Sequence, residues 1–187
     1  MEGSKGSGSL NIIEITTIDS PRETIVYNLT CNRMHARITS TRQEDFYYFL
    51  VNNPLLIDYV IIGLNQPYRN TLYALYPGAK ICIRPHSIQD VFGEVLGIDD
   101  QFYEEVAVTG VGACNDIFIM THKFIHDFYK QTNKQNALDL YREWVSEMPL
   151  GIPWLYRLIR IMEFYMEEIL MYFELKDMEG TTLKINR

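Results

Sequence analysis

From the first apolar position onward, short β-prone runs come before anything helical. Residues 11–17 (NIIEITT) and 24–28 (TIVYN) are rich in β-branched side chains, with Asp19, Ser20 and Pro21 as turn material between them. Residues 34–38 follow an Asn-Arg turn, and three such runs in succession predict an antiparallel meander. Residues 41–50 (TRQEDFYYFL) open on Thr41 with Glu44 three positions later, the spacing of a capping box, so a helix is expected there. Asn52, Asn53 and Pro54 should end it. Residues 58–62 (DYVII) form the compact apolar run of a strand covered on both faces, closed by Gly63. Pro67 suits the first turn of a helix running to about Tyr76, where Pro77-Gly78 stops it. Residues 79–83 (AKICI) are a second buried-type strand, so strand, helix and strand make a βαβ unit with parallel strands.

Past Pro85 the period changes. Residues 87–96 read as a helix, and 102–111 are ambiguous between strand and loop. From Asp116 to about residue 175 the pattern is helical, with Ala137, Leu140, Tyr141, Trp144, Val145 and Met148 at three-four spacing. Pro153 opens the last long helix, roughly 30 Å at 1.5 Å per residue. In it Leu155, Leu158, Ile159, Met162, Tyr165, Met166, Ile169 and Phe173 form one broad apolar stripe, read as a packing surface. The fold class expected is α/β. Its mixed sheet, three antiparallel strands plus a βαβ pair, has the ribonuclease H-like order, with a C-terminal set of long helices. Residues 1–9 (MEGSKGSGS) read as a flexible leader or expression remnant, and 10–187 as a single domain with a helical part at about 113–175.

Composition narrows the function. At 187 residues and 47% hydrophobic the chain has enough apolar content for a real core. No stretch of about 18 uncharged apolar residues is present, so no membrane partner is expected. Cys31, Cys82 and Cys114 are odd in number and lack a CxxC pair, which speaks against a disulfide scaffold or zinc finger and for the cytoplasm. The net charge of -7 repels a polyanion, so DNA binding should be weak or absent.

Four segments together resemble the ISL-type group of bacterial insertion-sequence transposases, DDE enzymes of mobile elements and DNA recombination. Ile12, Ile13 and Glu14 stand where that family has IDE, followed by the hairpin at Thr24 to Val26. Gly63-Leu64-Asn65-Gln66-Pro67-Tyr68-Arg69 occupies the place of D-M-x-x-P-Y-R, and Pro77-Gly78-Ala79-Lys80-Ile81 that of P-x-A-x-I. Arg84-Pro85-His86 sits at the D-R-F-H turn. Ala137, Trp144, Ile152 and Glu168-Ile169-Leu170-Met171-Tyr172-Phe173 follow the terminal helices, with Glu179-Gly180 after them. The order and spacing of these pieces cover nearly all of 10–187. The family's amino-terminal zinc-binding and helix-turn-helix region has no counterpart, which again lowers the expectation of DNA binding.

The resemblance implies a catalytic core that holds two magnesium or manganese ions on carboxylates. Carried over position by position, the first Asp falls on Ile13 and the second on Gly63. Only the Glu finds an acid, Glu179, and Gly180, Thr181 and Thr182 suggest a loop there. Ile and Gly supply no side-chain oxygen, so no metal cofactor is expected. Glu14, Asp19 and Asp58 are the nearby acids that would have to stand in. Glu14 should face away from position 13, because successive strand residues alternate. His122 and His126 are four apart, but HKFIH lacks the catalytic Glu of a zincin motif, and surface or packing histidines fit better. His86 is read as a structural hydrogen-bonding residue. Arg157 and Arg160 could touch phosphate; with Glu163, Glu167 and Glu168 following, a salt-bridged solvated face is the better reading. No Gly-rich phosphate loop or nucleophile elbow is present.

The function expected is a transposase-derived pseudoenzyme, a regulatory or protein-interaction remnant with a protein partner or a second copy of itself. Two other readings stand beside it: an active metal-dependent transposase or nuclease with relocated carboxylates, and a repressor that binds DNA or transposase subunits.

Overall fold

β-Branched side chains dominate Ile12–Asp19, and that segment is β1, followed by β2 (Arg22–Asn28) and β3 (Arg33–Ile38). The computed structural model describes residues 10–19, 22–96, 112–149 and 151–179, with Met1–Cys82 and Ile83–Arg187 forming two units. The expectations for 1–9, 102–111 and 180–182 lie outside the described residues.

β1 pairs antiparallel with β2, and β2 with β3, with a register shift between Val26 and Tyr27. The chain then forms α1 (Gln43–Asn52), β4 (Tyr59–Ile62), α2 (Gln66–Leu75) and β5 (Lys80–Ile83). β4 lies parallel to β1, and the five strands run in the order β3-β2-β1-β4-β5. This is a mixed α/β sheet with the antiparallel meander on one side of β1 and the helix-connected strands on the other.

One face of the sheet carries α2. The Thr24 hydroxyl on β2 lies 2.7 Å from the Tyr68 hydroxyl, and the Tyr68 ring stacks on Phe46 of α1 with centroids 4.2 Å apart. Directly paired residues share a face. Ile15 and Val26 pair, as do Ile13 and Val60, and all four are buried, as are Phe46, Leu50 and Leu72. The Tyr68 hydroxyl also has its pKa raised, chiefly because burial disfavours the phenolate.

Helix starts follow local chemistry, with one surprise. Asn65 caps α2 by accepting from the Tyr68 amide at 3.1 Å, and Pro67 occupies the first turn as expected. In α1 the capping box expected of Thr41 and Glu44 does not form. The helix starts one residue later, with Arg42 at the N-cap, so the third helical position belongs to Asp45. Its carboxylate accepts from the Ser40 hydroxyl at 2.5 Å and from Arg42 Nε at 2.9 Å. These bonds, Ser40's first, hold the Asp45 carboxyl below its ordinary range.

The second unit is helical among the described residues: α3 (Pro85–Leu96), α4 (Gly112–Lys130), α5 (Lys134–Glu147), α6 (Pro153–Phe164) and α7 (Met166–Glu179). Aromatic contacts tie them together. Phe92 of α3 meets Phe118 of α4 and Trp154 of α6, Phe124 stacks on Trp144 at 4.2 Å, and Phe128 meets Phe173 edge-on. Asn133 caps α5 by accepting from the Asn136 amide.

The single long helix expected from Pro153 is two helices. Tyr165 leaves helical dihedrals (φ -107°, ψ 15°), although the amides of Tyr165 and Ile169 still reach the carbonyls of Ile161 and Tyr165. The stripe itself packs: Leu155, Leu158, Met162, Tyr165, Ile169 and Phe173 are buried. After Tyr165 burial spreads around the helix to Glu168, Leu170 and Leu175 as well. An amphipathic helix thus joins one buried around most of its girth, and the backbone gives at the junction.

Two outcomes check this packing. Phe46→Ala should cost about 3–5 kcal/mol and Tyr68→Phe about 1 kcal/mol in urea unfolding, because Thr24 keeps its second bond to the Ser40 carbonyl. In thiol labelling at pH 8 the exposed Cys31 should react at once. Cys82, buried with its thiol pushed up to about 12, should react only on unfolding.

Candidate functional site

The parallel pairing of β1 with β4 decides where the implied site positions lie. Ile12, Ile13 and Glu14 pair with Tyr59, Val60 and Ile61. Continuing that register sets Thr16, not Ile13, level with Gly63, which follows the last residue of β4. Ile13 is therefore three strand residues, about 10 Å, short of Gly63 along the sheet.

Burial points the same way. Ile13 is 0% exposed on the helix-covered face, whereas Gly63 is half-buried at the strand end. A carboxylate at position 13 would be stripped of water with no cation beside it. Glu179 is the last residue of α7, in the other unit, and so ends a helix rather than lying in the loop expected of it.

The three acids that would have to stand in are scattered. Glu14 is half-buried and alternates away from Ile13 and Ile15, as the strand period requires. Asp58 is engaged locally, where its carboxylate accepts from the Asn11 amide at 2.7 Å and ties the start of β1 to the start of β4. Asp19 is at the opposite end of β1, exposed and paired with Arg22 across the hairpin. Among the described residues no group of three or more His, Cys, Asp or Glu side chains is placed to hold a metal ion.

The three candidate histidines, His86, His122 and His126, lie on helix surfaces. His122 and His126 are exposed on α4, and His126 Nδ1 lies 3.3 Å from the Asp127 carboxylate beside it. His86 is exposed in the first turn of α3, with Nδ1 2.9 Å from Gln89 Oε1, a local bond of the expected kind. Arg84 directly precedes that helix.

α6 and α7 depart from expectation. Arg157 and Arg160 are exposed, but among the described residues neither is in an ion pair, so the salt-bridged face does not form. Glu163 and Glu167 are exposed, whereas Glu168 is 1% exposed. It falls between Tyr165 and Tyr172 on the inward side of α7, where a helical period read only from apolar letters would not place an acid. The charge on Glu163 is felt inward as well. Burial first, and then this carboxylate, push the Tyr141 hydroxyl up to about 12. Also missed by sequence reasoning were Tyr156 and Phe164, 64% and 50% exposed on the outer side of α6. Their four-residue spacing from Arg160 was the available signal.

No protein-family model matches the chain, and neither a curated protein nor a solved structure matches it. No helix among the described residues is long and apolar enough to cross a membrane.

Replacing Ile13 by Asp tests the placement of the first site position. The substitution should lower unfolding stability by at least about 3 kcal/mol, as an unpaired acid enters the core. Manganese should not raise the melting temperature of the variant. A stable variant with a metal-dependent rise would mean that position 13 faces a binding site after all.

Proposed function

We propose that this chain carries a ribonuclease H-like domain derived from an insertion-sequence transposase, retained as a binding or regulatory unit after its strand-cutting chemistry was lost. The observation that carries the reading is topological. The strand order β3-β2-β1-β4-β5, with an antiparallel meander and β4 parallel to β1, is the order the ribonuclease H-like reading requires. α1 joins β3 to β4 and α2 joins β4 to β5. Gly63 to Arg69 spans the end of β4 and the capped start of α2, and residues 77–81 lead into β5.

The loss of chemistry is supported by what stands at the implied ligand positions. Ile13 is core and Gly63 has no side chain, and these two are separated along the sheet. Phosphodiester cleavage by two metals needs several carboxylate oxygens converging on the ions, to activate the nucleophile and stabilise the leaving oxygen. The acidic chain, with net charge -7, also lacks the cationic surplus that holds DNA phosphates. Binding to protein, either transposase subunits or another copy, fits this charge better.

Incubation with supercoiled plasmid DNA and magnesium or manganese at low salt should leave the DNA uncut. Robust nicking abolished by Glu179→Gln would overturn the proposal and assign a working strand-cutting centre.

A further inference from the structure

β3 is an end strand of the sheet, so its outer edge has no strand beside it, and alternate amides and carbonyls of such a strand turn outward. The edge is open: Arg33, Met34, His35 and Arg37 are exposed. At the other end of the sheet Ile81 and Cys82 of β5 are buried. Charge is placed unevenly as well. Residues 22–42 hold four arginines, Arg22, Arg33, Arg37 and Arg42, and a single acid, Glu23, in a chain whose net charge is -7. Arg37 meets Glu23 at 2.6 Å with its side chain still 57% exposed, and Arg42 meets Asp45 at 2.9 Å. Arg33 is in no ion pair among the described residues.

We infer that the outer edge of β3 takes up an extended acidic segment of a partner protein, which adds to the sheet as a further strand. The register decides where its acids must lie. Arg33 pairs with Asn28, which pairs with Ile13, so Arg33 belongs to the helix-covered face. Met34 and Ala36 pair with the adjacent residues Tyr27 and Val26, which makes His35 the extra residue of a bulge. Past the bulge the alternation is reset, and Arg37, opposite Ile25, belongs to the other face. An incoming strand therefore meets an arginine on each face. A strictly alternating amphipathic strand carries its acids on one face only, whereas a segment with adjacent acids answers both.

Two other occupants fit this edge less well. A second copy pairing its β3 with this one would set arginines against arginines, with no acid on either strand. A nucleic-acid strand cannot extend the backbone ladder, and β3 has no Phe, Tyr or Trp on which bases could stack. One added strand along six residues buries less than a standard interface, so the association is weak. The edge and its charge belong to the sheet itself and do not depend on transposase ancestry.

The probe is a fluorescein-labelled peptide of about eight residues, enough to span β3, with glutamates in adjacent pairs separated by threonines. At low salt it should bind the whole chain with a dissociation constant on the order of 100 µM, and the amide resonances of residues 33–38 should shift most. Arg33→Glu with His35→Glu should weaken binding at least about tenfold with an unchanged circular dichroism spectrum, since both side chains are open to solvent. The same peptide with its backbone amides N-methylated keeps its charge but cannot join the ladder, and its binding should fall by a similar factor. No binding at about 1 mM peptide would overturn the inference, as would shifts centred elsewhere in the chain or affinity indifferent to the double substitution. Binding undiminished by methylation would overturn it in favour of charge attraction alone. A labelled single-stranded DNA oligonucleotide that binds more tightly than the peptide, and is lost with the double substitution, would overturn it in favour of a nucleic-acid edge. Plasmid nicking bears on the lost chemistry alone, so the two conclusions can fail separately.

Discussion

β1 is hemmed in on both edges, and most of the first unit follows from that. Along its length it exchanges hydrogen bonds with β2, and over Ile12 to Glu14 it also pairs with β4. A strand held by two neighbours cannot slip by one residue without turning Ile13 and Ile15 out of the core and Glu14 into it. The cost of burying that carboxylate without a partner is what fixes the register. The register in turn sets Val60 beside Ile13 and Gly63 three residues further along the sheet. The Thr24–Tyr68 contact and the Phe46 stack then have a single place to form, and they seat α2 and α1 against the sheet and each other.

Much of this was legible in the chain itself. The β-branched runs, Pro67 in the first turn of α2 and the strand–helix–strand spacing are local signals, each acting over a few residues, and each appears where it was expected. The failures have a common cause in competition between neighbours. Thr41 and Glu44 satisfy the letter of a capping box, but Arg42 takes the cap position and Asp45 engages Ser40 and Arg42. The stripe from Leu155 to Phe173 keeps one period throughout, yet the helix breaks at Tyr165. The period records which residues are apolar and not how many neighbours surround the helix on each side.

The candidate site was legible in part, for the same reason. That Glu14 turns away from Ile13 follows from the pleat of one strand. That Ile13 and Gly63 lie at different levels depends on how β1 meets β4, and residues so far apart in sequence leave no local mark of their register. Glu168 shows the converse: a charged letter in an apolar helix reads as solvent-facing, and packing on several sides buries it.

α6 shows the local signal and its limit on one surface. Helical period alone assigns Arg157, Arg160, Glu163 and Glu167 to intrahelical ion pairs, because three- and four-residue spacings bring such side chains within reach. That reach is an opportunity and not a bond; an exposed pair of this kind gains only about 0.2–1 kcal/mol, and here the pairing of the two arginines does not form. What helical period fixes is therefore which charges can meet, and not which of them do.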